Sequence, residues 1–216
     1  MHVLLTAGPT YEPLDPVRFL GNRSTGKMGY ALAEAFAAQG ADVTLVSGPS
    51  HLPAPSNARI QLVRVETAAE MFAASESVAA EADVWVFAAA VADYRPAEVA
   101  TEKIKKSGET LTLQLVKNVD IAATLGQRKR PEQFAVGFAL ETTNELAHAQ
   151  GKLHRKNFDL IVLNSLRDAG AGFGHDTNKV TVLDAAGQIV NFELQSKADV
   201  ARGLVSLILA RLTFTP

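Results

Sequence analysis

The 216-residue chain contains no cysteine. That excludes disulfides, a thiolate nucleophile and cysteine-bound zinc, and it fits a reducing, cytoplasmic setting. Neither sign of charge is in excess, because 21 basic and 23 acidic side chains leave a formal net charge of −2. The composition therefore makes no electrostatic case for nucleic-acid or membrane binding, and any positive potential has to be local. No apolar run approaches the roughly 20 residues needed to cross a bilayer. The opening MHVLLTAGPTYEP lacks the basic and long apolar regions of a signal peptide. The five histidines show no metal-ligand spacing, and His148 and His154 would point to different sides of one helix.

What is present is ordinary for a globular protein, with 47% hydrophobic and 20% charged residues. One large α/β domain over residues 1–216 is expected, burying about 70% of its unfolded surface. Short apolar runs bounded by turn residues read as buried strands: His2–Thr6, Asp42–Ser47, Ile60–Val65, Asp83–Ala89, Phe134–Phe138 and Asp159–Asn164. Helical patterns alternate with them, from Ser24 to a closing Gly40, from Thr67 as N-cap to Ala80, over Asn118–Leu125, and over Glu145–Lys156. Leu111–Val116 alternates as a half-exposed strand, and Pro9–Arg23 reads as irregular. A Gly-rich loop at Ala169–Gly174 precedes an antiparallel hairpin, Lys179–Asp184 with Ile189–Leu194, and a final amphipathic helix capped by Ser196. The alternation predicts a parallel sheet with right-handed crossovers.

Chemistry concentrates in four places. Gly21-Asn22-Arg23-Ser24-Thr25-Gly26-Lys27-Met28 is a near miss to the P-loop, with Met28 where a Mg²⁺-binding hydroxyl belongs. Small residues at a helix start still expose backbone N–H groups to a phosphate or oxyanion. A capped helix with a glycine-rich entry explains the same string, although Ser24 and Thr25 serve as caps without Asn22. Ala7-Gly8-Pro9-Thr10 and Ala88–Asp93 end early strands, where open parallel sheets collect ligands. Tight helix–sheet packing with an ordinary exposed Asp is the plainer account. Lys103, Lys105 and Lys106 repel one another unless they are solvated or face anions. Lys152 and Lys156, at i and i+4, project from one helix face, commonly a solvated one.

Taken in order, TAGPTYEPLDPVRFLGNRSTGKMGYALA, VTLVSGP, AAAVADYRP, EKIKK, LVKNVDI, VGFALET and KLHRKNFDLIVLN make the chain resemble the bacterial phosphopantothenoylcysteine synthetase family. EKIKK is similar to the CTP-using branch. The resemblance implies a Rossmann-like, mostly parallel sheet flanked by helices, with the C-terminal hairpin and a protruding dimerisation flap at about 91–110. It implies a ligase of coenzyme A biosynthesis that joins 4′-phosphopantothenate to L-cysteine. CTP would activate the carboxylate as an acyl-cytidylate, and Mg²⁺ would be held largely by the CTP phosphates. Carried over by motif, Phe87, Ala88, Ala89, Asp93, Lys103, Val119, Asp120, Ile121, Ala122, Phe138, Lys152 and Lys156 would contact CTP. Asn22 and Lys103 would be catalytic, with Asn22 bonding the intermediate's carbonyl. Gly8, Ser24, Thr25, Gly26 and Arg95 would serve the substrate phosphate or acyl group. Val119 departs from the family pattern, where many relatives carry proline. The resemblance also implies a homodimer, and a flavin-dependent phosphopantothenoylcysteine decarboxylase fused or acting in trans. Met1 stands immediately before the first strand, so no flavin domain and no flavin are expected in this chain.

Two rivals fit less well. A nicotinamide-dependent oxidoreductase predicts a G-x-G-x-x-G turn after the first strand and, in the short-chain class, a Tyr-x-x-x-Lys pair. Only Ala-Gly-Pro-Thr follows Thr6, and Glu98 stands four residues after Tyr94. A nucleotide-binding module without turnover would have no call on Asn22 beside the CTP-type lysines.

Overall fold

The computed structural model describes residues 1–106, 108–141, 144–165, 172 and 174–212. The first parallel strand, β1 (His2–Ala7), feeds a two-stranded excursion, β2 (Tyr11–Pro13) and β3 (Phe19–Gly21), before helix α1 (Lys27–Ala38). Strands β4 (Asp42–Ser47) and β5 (Ile60–Arg64), helix α2 (Ala68–Ala79) and strand β6 (Val84–Phe87) follow. A second small pair, β7 (Tyr94–Pro96) and β8 (Leu115–Lys117), leads to α3 (Ile121–Gly126), β9 (Phe134–Glu141), α4 (Glu145–Arg155) and β10 (Leu160–Ser165). The chain closes with the hairpin β11 (Thr177–Asp184) and β12 (Ile189–Ser196) and helix α5 (Lys197–Leu212).

The eight-stranded sheet runs β12-β11-β10-β9-β6-β1-β4-β5. Its six strands from β10 to β5 are parallel, and β11 and β12 add antiparallel at one edge. Side chains alternate between faces because the strand period is two. Val3, Leu5, Val84, Val86 and Val136 pack under α1 and α5, with Phe36 and Leu204 among the fully enclosed groups. Leu4, Trp85, Phe87 and Ala135 face the other way, under α2, α3 and α4. Each large side chain so enclosed contributes about 1.5–3 kcal/mol. The expected doubly wound sheet and C-terminal hairpin are therefore what the chain forms.

Local signals explain several boundaries. Thr67 Oγ1 accepts from Glu70 N while Glu70 Oε2 accepts from Thr67 N, a reciprocal cap that starts α2 where the sequence marks it. Ser196 Oγ likewise accepts from Asp199 N at 3.1 Å at the head of α5. Other boundaries differ from expectation. α1 begins at Lys27, not Ser24, because Gly26 is the N-cap and stands at φ 81°, in the left-handed region. Ser24 Oγ turns inward to accept from Gly26 N at 3.3 Å, and neither Ser24 nor Thr25 caps the helix. Asp120, whose Oδ1 accepts from Ala123 N, delays α3 to Ile121. The irregular Pro9–Arg23 stretch contains the β2–β3 pair, tied by Tyr11 stacked on Phe19 at 3.8 Å. Of the strand expected at Leu111–Val116, only Leu115 and Val116 are paired, opposite Pro96 and Arg95. The Gly-rich loop lies outside the described residues apart from Gly172 and Gly174.

Asp15 clasps the flap to the β2–β3 excursion. Its Oδ1 accepts from Val17 N and Arg18 N, and its Oδ2 from Arg18 Nε and Nη2 and from Ile104 N at 3.0 Å. The Arg18 guanidinium, with these backbone donors, holds the carboxyl well below the usual carboxylate range despite its enclosure. A depressed value stabilises the folded form above the unfolded pKa of about 3.9, and that contribution is lost as the pH falls below it. Asp15→Asn is expected to leave the sheet folded and to raise hydrogen exchange and proteolysis within 97–113 at neutral pH. An unchanged protection pattern there would show that the clasp does not restrain the flap.

A candidate nucleotide cleft at the switch point

The chain leaves β1 toward β4 and β5 on one side and returns to β6, β9 and β10 on the other. The reversal falls between β1 and β6, and at that point the carboxyl ends of the strands leave a crevice in which open α/β sheets bind ligands. The loop after β6 is pinned to the exit of β1. Ala88 N donates to Thr6 O, Ala90 N to Gly8 O at 2.8 Å, and Ala92 N to Thr10 Oγ1 at 2.9 Å. Helix α1 enters the crevice at short range, since a Cβ on Gly29 would lie 2.5 Å from Ala7 Cβ.

Two adjoining cavities occupy the crevice. The larger, about 500 Å³, has aromatic walls from Phe87, Phe138 and Phe158 and a backbone rim from Lys117 to Ala122. Phe87 and Phe158 stack at 5.8 Å. The smaller, about 320 Å³, opens on Asn22, Ser24–Gly29, Ala88–Val91 and the ends of β9 and β10. Ala89, Val91, Asp93, Phe138 and Lys152 line both, so the two form one continuous cleft with Lys152 at the waist. An apolar slot beside a polar, cation-bearing recess is the form of a small-molecule site.

The ionic contacts set where charge is available. Lys156 Nζ lies 2.9 Å from Asp120, the carboxylate that also caps α3. Lys152 Nζ lies 2.7 Å from Glu141 Oε1, a close ion pair whose angles fall short of a directed hydrogen bond. His148 Nδ1 approaches the other Glu141 oxygen at 3.4 Å. Asn22, just after β3, donates Nδ2 to Ala90 O at 2.8 Å, which orients the amide on the cleft wall and commits one of its two protons. Helix α1 points its N-terminus into the smaller cavity with no side-chain cap and no acid in its first turn, so its free N–H groups and dipole favour an anion there.

Of the residues singled out in the sequence, Phe87, Ala89, Asp93, Val119, Asp120, Ile121, Ala122, Phe138, Lys152 and Lys156 line the larger cavity. Asn22, Ser24, Thr25, Gly26 and Ala88 line the smaller. Three lie elsewhere. Gly8 packs behind the cleft, with φ 74° and a Cβ position 3.1 Å from Gly48 O. Arg95 turns its Nη1 to Lys117 O at 2.8 Å. Lys103 is exposed on the flap beside the clasped Ile104 and lines neither cavity. The sequence reading overlooked Lys117, Asn118, Asn164, Asn178 and Lys197, all on the cleft wall. Asn178 Nδ2 donates to Asn164 Oδ1 at 3.1 Å across β10 and β11, a pairing with no signature in either strand alone.

The doubly wound sheet, with a two-chambered cleft at its switch point, defines a Rossmann-like α/β protein. Residues 1–212 match the family described as DNA/pantothenate metabolism flavoprotein C-terminal domain, and the chain belongs to that family. It is 47% identical over 208 residues to the coenzyme A biosynthesis bifunctional protein CoaBC of Vibrio cholerae, covering 95% of this chain and 51% of that protein. It is 50% identical over 207 residues to a cysteine/cysteine sulfinic acid decarboxylase from an unknown prokaryotic organism, covering 96% of this chain and 57% of that one. The chain thus spans about half the length of the curated relatives it matches. The crystal structure of the C-terminal domain of CoaBC superposes with a TM-score of 0.82 at 42% identity, covering 98% of this chain and 97% of that one.

Proposed function

We propose that the chain is the ligase that joins 4′-phosphopantothenate to L-cysteine at the expense of CTP. One observation carries the reading: ten of the residues that resemblance assigns to CTP line a single cavity, and Asn22 lines the chamber next to it. Membership of the family and likeness to the C-terminal part of a coenzyme A biosynthesis protein support the same reaction.

In the first step a carboxylate oxygen of 4′-phosphopantothenate attacks the α-phosphorus of CTP, and pyrophosphate leaves. In the second the cysteine amine attacks the acyl carbon, the C–N bond forms, the C–O bond to the cytidylate breaks, and CMP and a proton depart. The base lies between Phe87, Phe138 and the 119–122 backbone. Lys152 and Lys156 offset phosphate charge once nucleotide oxygens compete with Glu141 and Asp120 for them. The N-terminus of α1 takes further phosphate oxygens, and Asn22 donates its remaining proton to the intermediate's carbonyl as negative charge grows there. Mg²⁺ would be held in this reading largely by the CTP phosphates, whose charge it would offset.

A second copy of the chain completes the site. The flap and the β2–β3 excursion expose Tyr94, Val99, Leu111, Leu115, Val17 and Phe19, an apolar surface suited to a homodimer. Lys103 stands on that flap and reaches the partner's cleft, not its own. A flavin-dependent decarboxylase supplies the following step, fused or in trans. Among the described residues no helix is long and apolar enough to cross a membrane, and a cytoplasmic setting is proposed.

Incubation with 4′-phosphopantothenate, CTP, Mg²⁺ and cysteine is expected to release CMP and pyrophosphate in equal amounts with the amide product. ATP in place of CTP is expected to support little turnover. CTP binding without CMP release would reduce the chain to a nucleotide-binding module. A reaction with no preference for CTP would overturn the nucleotide assignment.

A further inference from the structure

The smaller chamber contains a group that the reaction as described above does not use. Lys197 is only 8% exposed, yet it lines that cavity. Its Nζ donates to Gly172 O at 3.1 Å and His175 O at 2.5 Å, which leaves one of three ammonium protons uncommitted by those bonds. Burying an ammonium is costly unless it is paired with an opposite charge, and both of these partners are neutral carbonyls. Its surroundings increase that cost. Lys197 is the first residue of α5, at the positive end of the helix dipole. Lys27, the first residue of α1, is close enough to act on it electrostatically, and burial followed by Lys27 pushes the Lys197 ammonium below its ordinary value, with the Asp176 carboxylate opposing them.

The topology explains why these charges meet. The antiparallel hairpin brings the chain back to the carboxyl edge of the sheet, where Ser196 pairs with Thr177 and α5 begins. Two helix N-termini therefore flank one chamber. Among the described lining residues, Lys27, Lys152 and Lys197 stand against a single carboxylate, Asp93. Asp176 neutralises Lys27 at 2.6 Å, but it is 85% exposed and does not line the cavity. Glu141 likewise pairs with Lys152 at 2.7 Å, so among the described residues Lys197 is the lining lysine without a direct ion pair, and such a buried cation beside two helix N-termini is stabilised by an anion.

We infer that Lys197, with Lys27 and the N-termini of α1 and α5, forms the subsite for the β- and γ-phosphates of the nucleotide, the part that leaves as pyrophosphate. This rests on the nucleotide reading above and adds binding residues to it. Lys197 also holds the carbonyls of Gly172 and His175, the latter next to Asp176, so anion binding and the placement of Lys27 are coupled.

The test uses calorimetric titration of the intact protein with inorganic pyrophosphate, with CMP and with CTP, at two salt concentrations. Wild type is expected to bind pyrophosphate more weakly at high salt. Lys197→Gln and Lys27→Gln are each expected to weaken pyrophosphate and CTP binding at least about tenfold while CMP affinity changes less than about twofold. Lys197→Arg is expected to recover much of the loss, which a role confined to packing would not require. Equal weakening of CMP and pyrophosphate in Lys197→Gln, with a lowered melting temperature, would show that Lys197 only braces the loop. If wild type binds CMP but not pyrophosphate, the subsite is wrong while the nucleotide reading stands. If neither CMP nor CTP binds, it is that reading that fails.

Discussion

Asn22→Ala is expected to keep releasing pyrophosphate from CTP and 4′-phosphopantothenate while forming amide about 10²–10³-fold more slowly, the loss typical of one oxyanion donor. The position supports a selective defect. Asn22 lies after the β2–β3 excursion, is exposed to the cleft, and contributes nothing to the two apolar cores. Its one described bond, to Ala90 O, holds the amide at the cleft wall. Asn22→Asp keeps the shape, removes both amide protons and adds a negative charge, so it is expected to be at least as impaired. Single-turnover measurement with cysteine omitted and then added separates the steps. If amide forms at the wild-type rate in the alanine variant, Asn22 is not the donor.

Trp85→Ala is expected to destabilise the protein by about 3–5 kcal/mol, the usual loss for a large buried aromatic. For a domain of this length that lowers the melting temperature by about 10 °C. Trp85 is 2% exposed and donates Nε1 to Ala79 O at 3.0 Å at the end of α2. Its ring meets Phe87 edge-on at 6.4 Å, and Phe87 stacks on Phe158 in the cleft wall. The truncation should therefore also weaken nucleoside binding, because the aromatic wall loses its backing. Differential scanning calorimetry with and without CMP checks both effects. A shift below 2 °C would mean that the core closes around the missing ring.

How much of this was legible depended on whether a feature is local. β1, β4, β6 and β10 announce themselves as short apolar runs stopped by turn residues, and Thr67 and Ser196 mark helix starts by chemistry contained within four residues. The β2–β3 excursion stayed hidden because three-residue strands carry no periodicity; it is held by Tyr11 on Phe19 and by Glu12 accepting from Ala68 N. The start of α1 was misplaced because Gly26 substitutes backbone freedom for the hydroxyl caps that Ser24 and Thr25 advertise. Within the cleft, residues carried by contiguous strings were found, whereas Lys197 was not. In sequence it opens an ordinary amphipathic helix, and only the return of the hairpin sets it opposite Lys27.

That return has a consequence for the order of biosynthesis. The larger cavity is walled by residues up to Phe158, yet a cation of the smaller one lies at position 197, after the last strand of the sheet has been made. A nascent chain on the ribosome would thus complete the walls of the larger cavity before those of the smaller one, and if the proposed nucleotide reading holds, tight CTP capture would appear only after nearly the whole domain has emerged.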